Sequence, residues 1–419
     1  MMASPPTSRR IFSGVIAGLI AGATALLAQA PPAQQPPRFR SGVELVAIDV
    51  EVVGRDGEPV LGLRGDQFEV EIDGRKRPVV SAQFLQQAPR SVFAGRGNQP
   101  LTPGSQPPAV RALAGEYTGR IFVLGIDENS FWAGHARAAN DAARIFIDRL
   151  EPEDYIGLAT FPASTVQVTP TREHYKVRDA LDKIVGRKSP PMRGTTALSA
   201  SEVMDITAGD SEVLARVIAR ECSPADRACP KRVQADVIDM AQDLEIRALV
   251  SVSGIRGLLG AMANVQGRKT LVIVSAGITL GDRPGARPNV RGEVAAAGLA
   301  AAAANTNLYV LHVDTSFLET FSAQSGGSVT TMMRDSSASE SGLAAIAAAA
   351  GGQLFGVSTR ADDAFDRVLR ETSAYYLLGV EPAESDRDGR THTLKVRVRR
   401  DNSTVRNRTV VVIPRRPTA

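Results

Sequence analysis

The chain has 419 residues, a formal net charge of +4 and an ordinary globular balance of 43% apolar and 22% charged residues. That length predicts about two to three domains with ample material for a core. Basic residues are not gathered on one stretch and aromatics are only 5%. The charge footprint and stacking platforms of a nucleic-acid binder are therefore missing, and nucleic acid is excluded as a partner.

Residues 1–30 read as an export signal. Arg9 and Arg10 precede an apolar run over 15–27, and Ala28-Gln29-Ala30 offers small residues where a signal peptidase cuts. The run is shorter than the roughly 20 residues of a bilayer span, which favours a cleaved signal over an anchor. Ser8-Arg9-Arg10-Ile11-Phe12 also resembles a twin-arginine signal, a route that carries folded chains. The predicted location is periplasmic or extracellular. Residues 31–40, rich in Pro and Gln, read as a flexible tether. Over 41–86 the pattern is β. Residues 43–53 are rich in β-branched side chains, 68–72 alternate cleanly, Asp73-Gly74 signals a hairpin turn, and 78–84 predict a third strand. Residues 87–117, rich in Pro, Gly, Gln and Ser, read as a linker.

From 118 to 373 strand and helix signals alternate. Strands are predicted at 121–126, 155–161, 269–275, 308–313 and 353–357, with a short antiparallel edge strand at 165–168. Helices are predicted at 133–150, 172–185, 290–304, 341–350 and 361–372, and a mostly helical insertion at about 198–265. This order implies an α/β fold, a three-layer, doubly wound, Rossmann-like sheet with helices on both faces. The insertion carries the only cysteines, Cys222 and Cys229, expected as a local disulfide in an exported chain. Over 374–415 the pattern returns to β, with strands at 375–380, 392–399 and 405–413. Neither terminal β segment suffices alone, so the two are expected to pair into one flanking β module.

Catalytic signatures are absent: no Gly-x-Ser-x-Gly, no His-Glu-x-x-His and no Walker loop occurs. The four histidines, His135, His174, His312 and His392, are not paired at helical spacing. His135 reads as a surface or cap residue, and His312, inside an apolar strand, as a hydrogen-bonded core residue. No catalytic residue is assigned, and the chain is expected not to be an enzyme.

The strand ending in Asp127, the helix after it, the 155–161 strand with its close neighbour, the Thr195-Thr196 loop and the 269–277 segment together resemble a von Willebrand factor A domain. The flanks resemble a bacterial exported family that sets this domain between short β segments. The phrases are Ile48-Asp49-Val50-Glu51-Val52, Asp56-Gly57, Leu63-Arg64-Gly65-Asp66-Gln67-Phe68-Glu69-Val70 and Tyr375-Tyr376-Leu377-Leu378-Gly379. The resemblance implies a von Willebrand factor A-type sheet with a ligand edge at the carboxyl ends of its strands. It also implies a metal-ion-dependent adhesion site: Asp-x-Ser-x-Ser on the first loop, a Thr on the second and an Asp after the fourth strand, holding Mg²⁺ or another divalent cation.

This chain departs from that pattern. Its first loop is Asp127-Glu128-Asn129-Ser130-Phe131, and Phe131 cannot ligate; Ala276 stands where the later carboxylate is expected. Asp127, Asn129 and Thr196 are the remaining metal candidates, a depleted, degenerate site with no confident cofactor. The binding edge is expected to comprise Asp127, Glu128, Asn129, Ser130, Thr195, Thr196 and Ser275, with Trp132 beside it as an anchor or a core residue. The Arg-bearing loop 281–292 forms a charged rim, and 320–339 reads as a second long loop on that edge. The expected function is an exported protein–protein interaction module. The alternatives are a secreted hydrolase without a recognisable motif and a structural envelope component.

Overall fold

In a computed structural model of the chain, residues 45–86, 119–189, 196–265, 267–315, 329–357 and 361–415 are described. The signal, the tether, the linker and Thr195 lie outside them.

The central sheet is built on strands β5 (Ile121–Asp127), β6 (Tyr155–Phe161), β7 (Gln167–Thr171), β8 (Lys269–Ser275), β9 (Thr306–Val313) and β10 (Gln353–Val357), in the order β10-β9-β8-β5-β6-β7. All neighbours are parallel except the edge pair β6 and β7. Every residue of β5 and β8 is buried, which explains their unbroken apolar character: a strand covered on both faces has no solvent side to alternate with.

Helices α1 (Ala136–Asp148), α2 (His174–Leu181), α3 (Ala200–Thr207), α4 (Ser211–Glu221), α5 (Cys229–Met262), α6 (Arg291–Ala303), α7 (Val329–Ala349) and α8 (Ala361–Glu371) complete the three layers. On one face α1, α2 and α8 pack Phe146, Leu181 and Phe365 against Phe122, Leu124 and Ile126. Phe146 meets Phe122 edge-on at 5.3 Å and stacks on Phe365 at 5.0 Å. On the other face α5, α6 and α7 place Val252, Ile255, Val294 and Ile346 on Val123, Leu271 and Ile273.

The insertion is α3, α4 and the amino-terminal half of α5. Helix α5 has 34 residues, about 50 Å of helix. It serves two cores. Val233 packs with Val213 and Val217, and Val237 and Ala241 with Val203, while the Ala248–Met262 end covers the sheet. The Cys222–Cys229 disulfide staples α4 to α5. No helix among the described residues is long and apolar enough to cross a membrane.

The terminal segments interleave. β1 (Val46–Gly54), β4 (Val79–Gln86), β11 (Ala374–Val380) and β13 (Ser403–Arg406) form one sheet, order β13-β1-β11-β4. β2 (Phe68–Ile72), β3 (Arg75–Arg77), β12 (Thr391–Val398) and β14 (Val410–Val412) form another, order β14-β12-β2-β3. Ile48, Val50, Val70, Ile72, Tyr376, Leu378, Leu394 and Val396 fill the space between them. The Tyr376 hydroxyl donates to Val60 O at 2.8 Å and accepts from Leu63 N at 3.0 Å.

The strand expected over 78–84 is β4, and the short β3 before it, ending at Arg77, pairs in the other sheet. Two sequence readings need correction. The strand over 405–413 divides, β13 pairing with β1 and β14 with β12. The loop expected over 320–339 is helical from Val329, with 316–328 outside the described residues. Its polar Ser and Thr content hid anchors that only the fold supplies: Arg334 pairs with Asp205, and Asp335 accepts from Ser201 N at 2.8 Å.

A buried charge cluster joins the β module to the amino end of the large sheet. Glu51 pairs with Arg268 and accepts from Asn307 Nδ2 at 2.8 Å. Glu371 accepts from Arg367 Nε at 3.0 Å and from Arg406 Nε at 2.7 Å. The Tyr309 hydroxyl lies 3.1 Å from Glu51 and 3.2 Å from Glu371. Burial pushes the Glu51 carboxyl above its ordinary range against the pull of Arg268.

Candidate functional site

From β5 the chain moves through α1 to β6 on one side; from β8 it moves through α6 to β9 on the other. The order therefore reverses between β5 and β8, and their carboxyl ends flank the crevice where doubly wound sheets hold ligands. Asp127 ends one strand and Ser275 the other.

That crevice is bridged from within. Ser275 Oγ and Ser251 Oγ, the latter from α5, both donate to Asp127 Oδ2 at 3.1 Å. Asp127 is fully buried and its Oδ1 has no hydrogen-bond partner. Desolvation pushes its pKa up to about 7, opposed by the two serine hydroxyls and by the backbone N–H groups of Asn129 and Ser130.

The rest of the first loop is equally committed. Residues Glu128–Ser130 form a 3-10 turn. Ser130 Oγ donates to Asp127 O at 2.8 Å and accepts from Ala276 N at 2.9 Å, which ties the two strand ends together. Buried Glu128 accepts from Thr165 Oγ1 at 2.6 Å and lies 3.6 Å from Arg187 Nε. Asn129 is half-buried and Phe131 is wholly in the core. Trp132 is half-buried, with the Lys188 amine 5.2 Å from its ring centre. Thr196 donates through N and Oγ1 to Asp236 of α5, so its hydroxyl is engaged with the insertion.

The crevice is also roofed by α7. Gly277 takes φ +136°, and a Cβ built there would lie 2.4 Å from Ser339 Cβ. Only glycine admits that approach and that backbone region together. Ile278 N donates to Ser339 O at 3.0 Å beside it.

These residues do not fit a divalent cation. A hard cation needs several oxygen donors converging on one point. Here one oxygen of Asp127 is bonded by two serines, Glu128 and Thr196 are turned to other partners, and Phe131 and Ala276 offer no side-chain oxygen. No group of three His, Cys, Asp or Glu side chains with metal-holding geometry occurs among the described residues.

Three of the histidines bond the scaffold. His312 Nε2 lies 3.2 Å from Ala276 O and His174 Nε2 2.8 Å from Asp154 O. His392 sits between Asp73 and Asp388, which raise its pKa, Asp73 most. His135 precedes α1, half-buried, with Nδ1 unpartnered. In the basic loop, Arg287 Nε donates to Glu245 at 2.6 Å and Arg291 to Gly281 O at 2.9 Å, while Arg283 pairs with Asp205.

Ser251 was not selected from the sequence. A signal existed: it lies three residues after Ala248 and four before Ile255, a hydroxyl on the apolar stripe of α5.

No family model and no curated protein matches the chain. Among solved structures, the VWA domain of SpRpn10 is similar at 11% identity, covering 59% of this chain and 93% of that one, with a TM-score of 0.25. The doubly wound α/β description rests on strand order and direction, independently of that likeness.

Proposed function

We propose that this chain is an exported protein–protein interaction module. Its von Willebrand factor A-type domain has a degenerate adhesion site and docks its partner without a metal ion and without catalysis. The observation that carries the reading is the Ser251–Asp127–Ser275 bridge. It joins both strand ends at the switch point and α5, leaving the first-loop carboxylate inside the scaffold rather than open to a ligand. The Cys222–Cys229 disulfide is compatible with an oxidising compartment. A hydrolase at this edge would need a nucleophile bonded to a base, and the contacts of His174, His312 and His392 run to backbone carbonyls and carboxylates instead.

The test is calorimetric titration of Mg²⁺, Mn²⁺ and Ca²⁺ into the purified chain, beside Asp127→Asn. No saturable heat is expected in either protein. Micromolar binding that disappears in the variant would restore a metal-dependent adhesion mechanism and overturn the reading.

A further inference from the structure

Beside the bridged crevice lies an open cleft of about 680 Å³, at the same carboxyl edge. Its walls come from four segments: α3, the start of α4, the loop after β8 and the first half of α7. Met204 and Val213 form a buried apolar floor, and Met333, an exposed side chain, stands at the rim. Unbranched thioethers adapt to varied apolar partners at little cost.

The polar chemistry centres on Asp205. This carboxylate is only 4% exposed, yet it pairs with two guanidiniums, Arg283 on Oδ1 and Arg334 on Oδ2. Each arginine remains about half exposed, at 48% and 49%. One buried anion thus orients two forks, and each guanidinium has five N–H donors. Both side chains line the cleft. Arg216, 65% exposed, adds a third cation, with Glu212 no nearer than 3.9 Å.

Two further carboxylates line the space. Asp210 Oδ1 is committed to Glu212 N and Val213 N as the cap of α4. Asp282 lies 3.5 Å from Arg283 Nε and is 63% exposed. Neither reaches Arg334, whose only carboxylate partner among the described residues is the shared Asp205. Paired, pre-oriented guanidiniums above an apolar floor match a carboxylate next to an apolar side chain.

We infer that this cleft is the docking site for an acidic segment of a partner protein. A partner Asp or Glu carboxylate is received by Arg283 and Arg334, and a neighbouring apolar side chain rests on Met204, Val213 and Met333. This rests on the interaction-module reading and assigns its contact surface to the cleft between the insertion, the loop after β8 and α7 rather than to the switch point. The disulfide-stapled α4–α5 pair then acts as one wall of the site, through Val213.

The probe is a phage-displayed library of random linear dodecapeptides panned on the full chain. Binding of individual selected peptides is then measured by fluorescence anisotropy. Selected peptides are expected to carry Asp or Glu beside an apolar residue. They should lose at least tenfold in affinity against Met333→Glu and against Arg334→Gln, and weaken as salt rises. Met333→Glu is the safeguard, because that side chain is 64% exposed and its replacement leaves Asp205 paired. Acidic peptides whose affinity is unchanged by Met333→Glu, or selected peptides without acids, would overturn the cleft while leaving the module reading standing. No enrichment over an unrelated control protein would overturn both.

Discussion

Replacing Asp127 with Asn isolates the buried carboxyl at the switch point. In the folded chain its pKa is pushed up to about 7; an unfolded Asp titrates near 3.9. Between those values the folded state holds a proton that the unfolded state has lost, so stability falls as pH rises. The contribution is greatest below about pH 4 and fades through pH 7. From pH 5 to pH 8 the loss amounts to roughly 2–3 kcal/mol. Asn cannot ionise, so the variant lacks this slope, although its amide nitrogen at the unpartnered Oδ1 position carries an offset of about 1–3 kcal/mol at every pH. The assay is urea unfolding of both proteins from pH 5 to 8. Other titrating groups are common to both and largely cancel in the difference. The wild-type advantage over the Asp127→Asn variant should shrink steadily as pH rises. A difference that stays flat, or that grows with pH, would mean that Asp127 is ionised throughout. It would then be the exposed, ligand-ready carboxylate that the bridge argues against.

Three other outcomes follow from the same contacts. Glu371→Gln leaves Arg406 and Arg367 facing a neutral amide in a buried junction, which should destabilise the chain by about 3–5 kcal/mol in denaturant unfolding. Cys222→Ser opens the short stapled loop and should remove about 2–3 kcal/mol, with amide-exchange protection lost first in α3 and α4. His392→Phe tests a raised histidine: its pairing with Asp73 and Asp388 contributes fully below the unfolded pKa near 6.5 and is lost as pH rises through the folded value. The stability gap to wild type should therefore narrow on going from pH 5.5 to 8.5 in thermal melts.

The layers of the fold were legible because burial leaves a pattern. Strands covered on both faces appear as unbroken apolar runs at 121–126 and 269–275, and Asp73-Gly74 takes the positive φ values, 49° and 73°, that such a turn demands. Sheet switching was not legible. Nothing local distinguishes one strand over 405–413 from two that part into different sheets after Arg406. The amino-terminal half of α7 was missed for a related reason. Its residues have modest helix preference, and the ion pair to Asp205 and the bond from Ser201 N come from a segment more than a hundred residues away.

At the site, side-chain chemistry was legible in the sequence but side-chain partners were not. Phe131 and Ala276 can be recognised as non-ligands from their side chains alone. That Asp127 is satisfied by Ser251 depends on α5 crossing the sheet at the right height, a tertiary fact. The helices that follow Ser199 shape both features of the carboxyl edge. The carboxyl half of α5 delivers the serine that closes the switch point, and α3 and α4 supply Asp205 and Val213 to the cleft alongside. On the reading proposed above, the bridged switch point and the arginine-lined cleft divide the work of this edge. The first is held closed by serine hydroxyls, and the second offers guanidiniums oriented by a buried aspartate, which can receive a partner's carboxylate with fixed charge at any metal concentration.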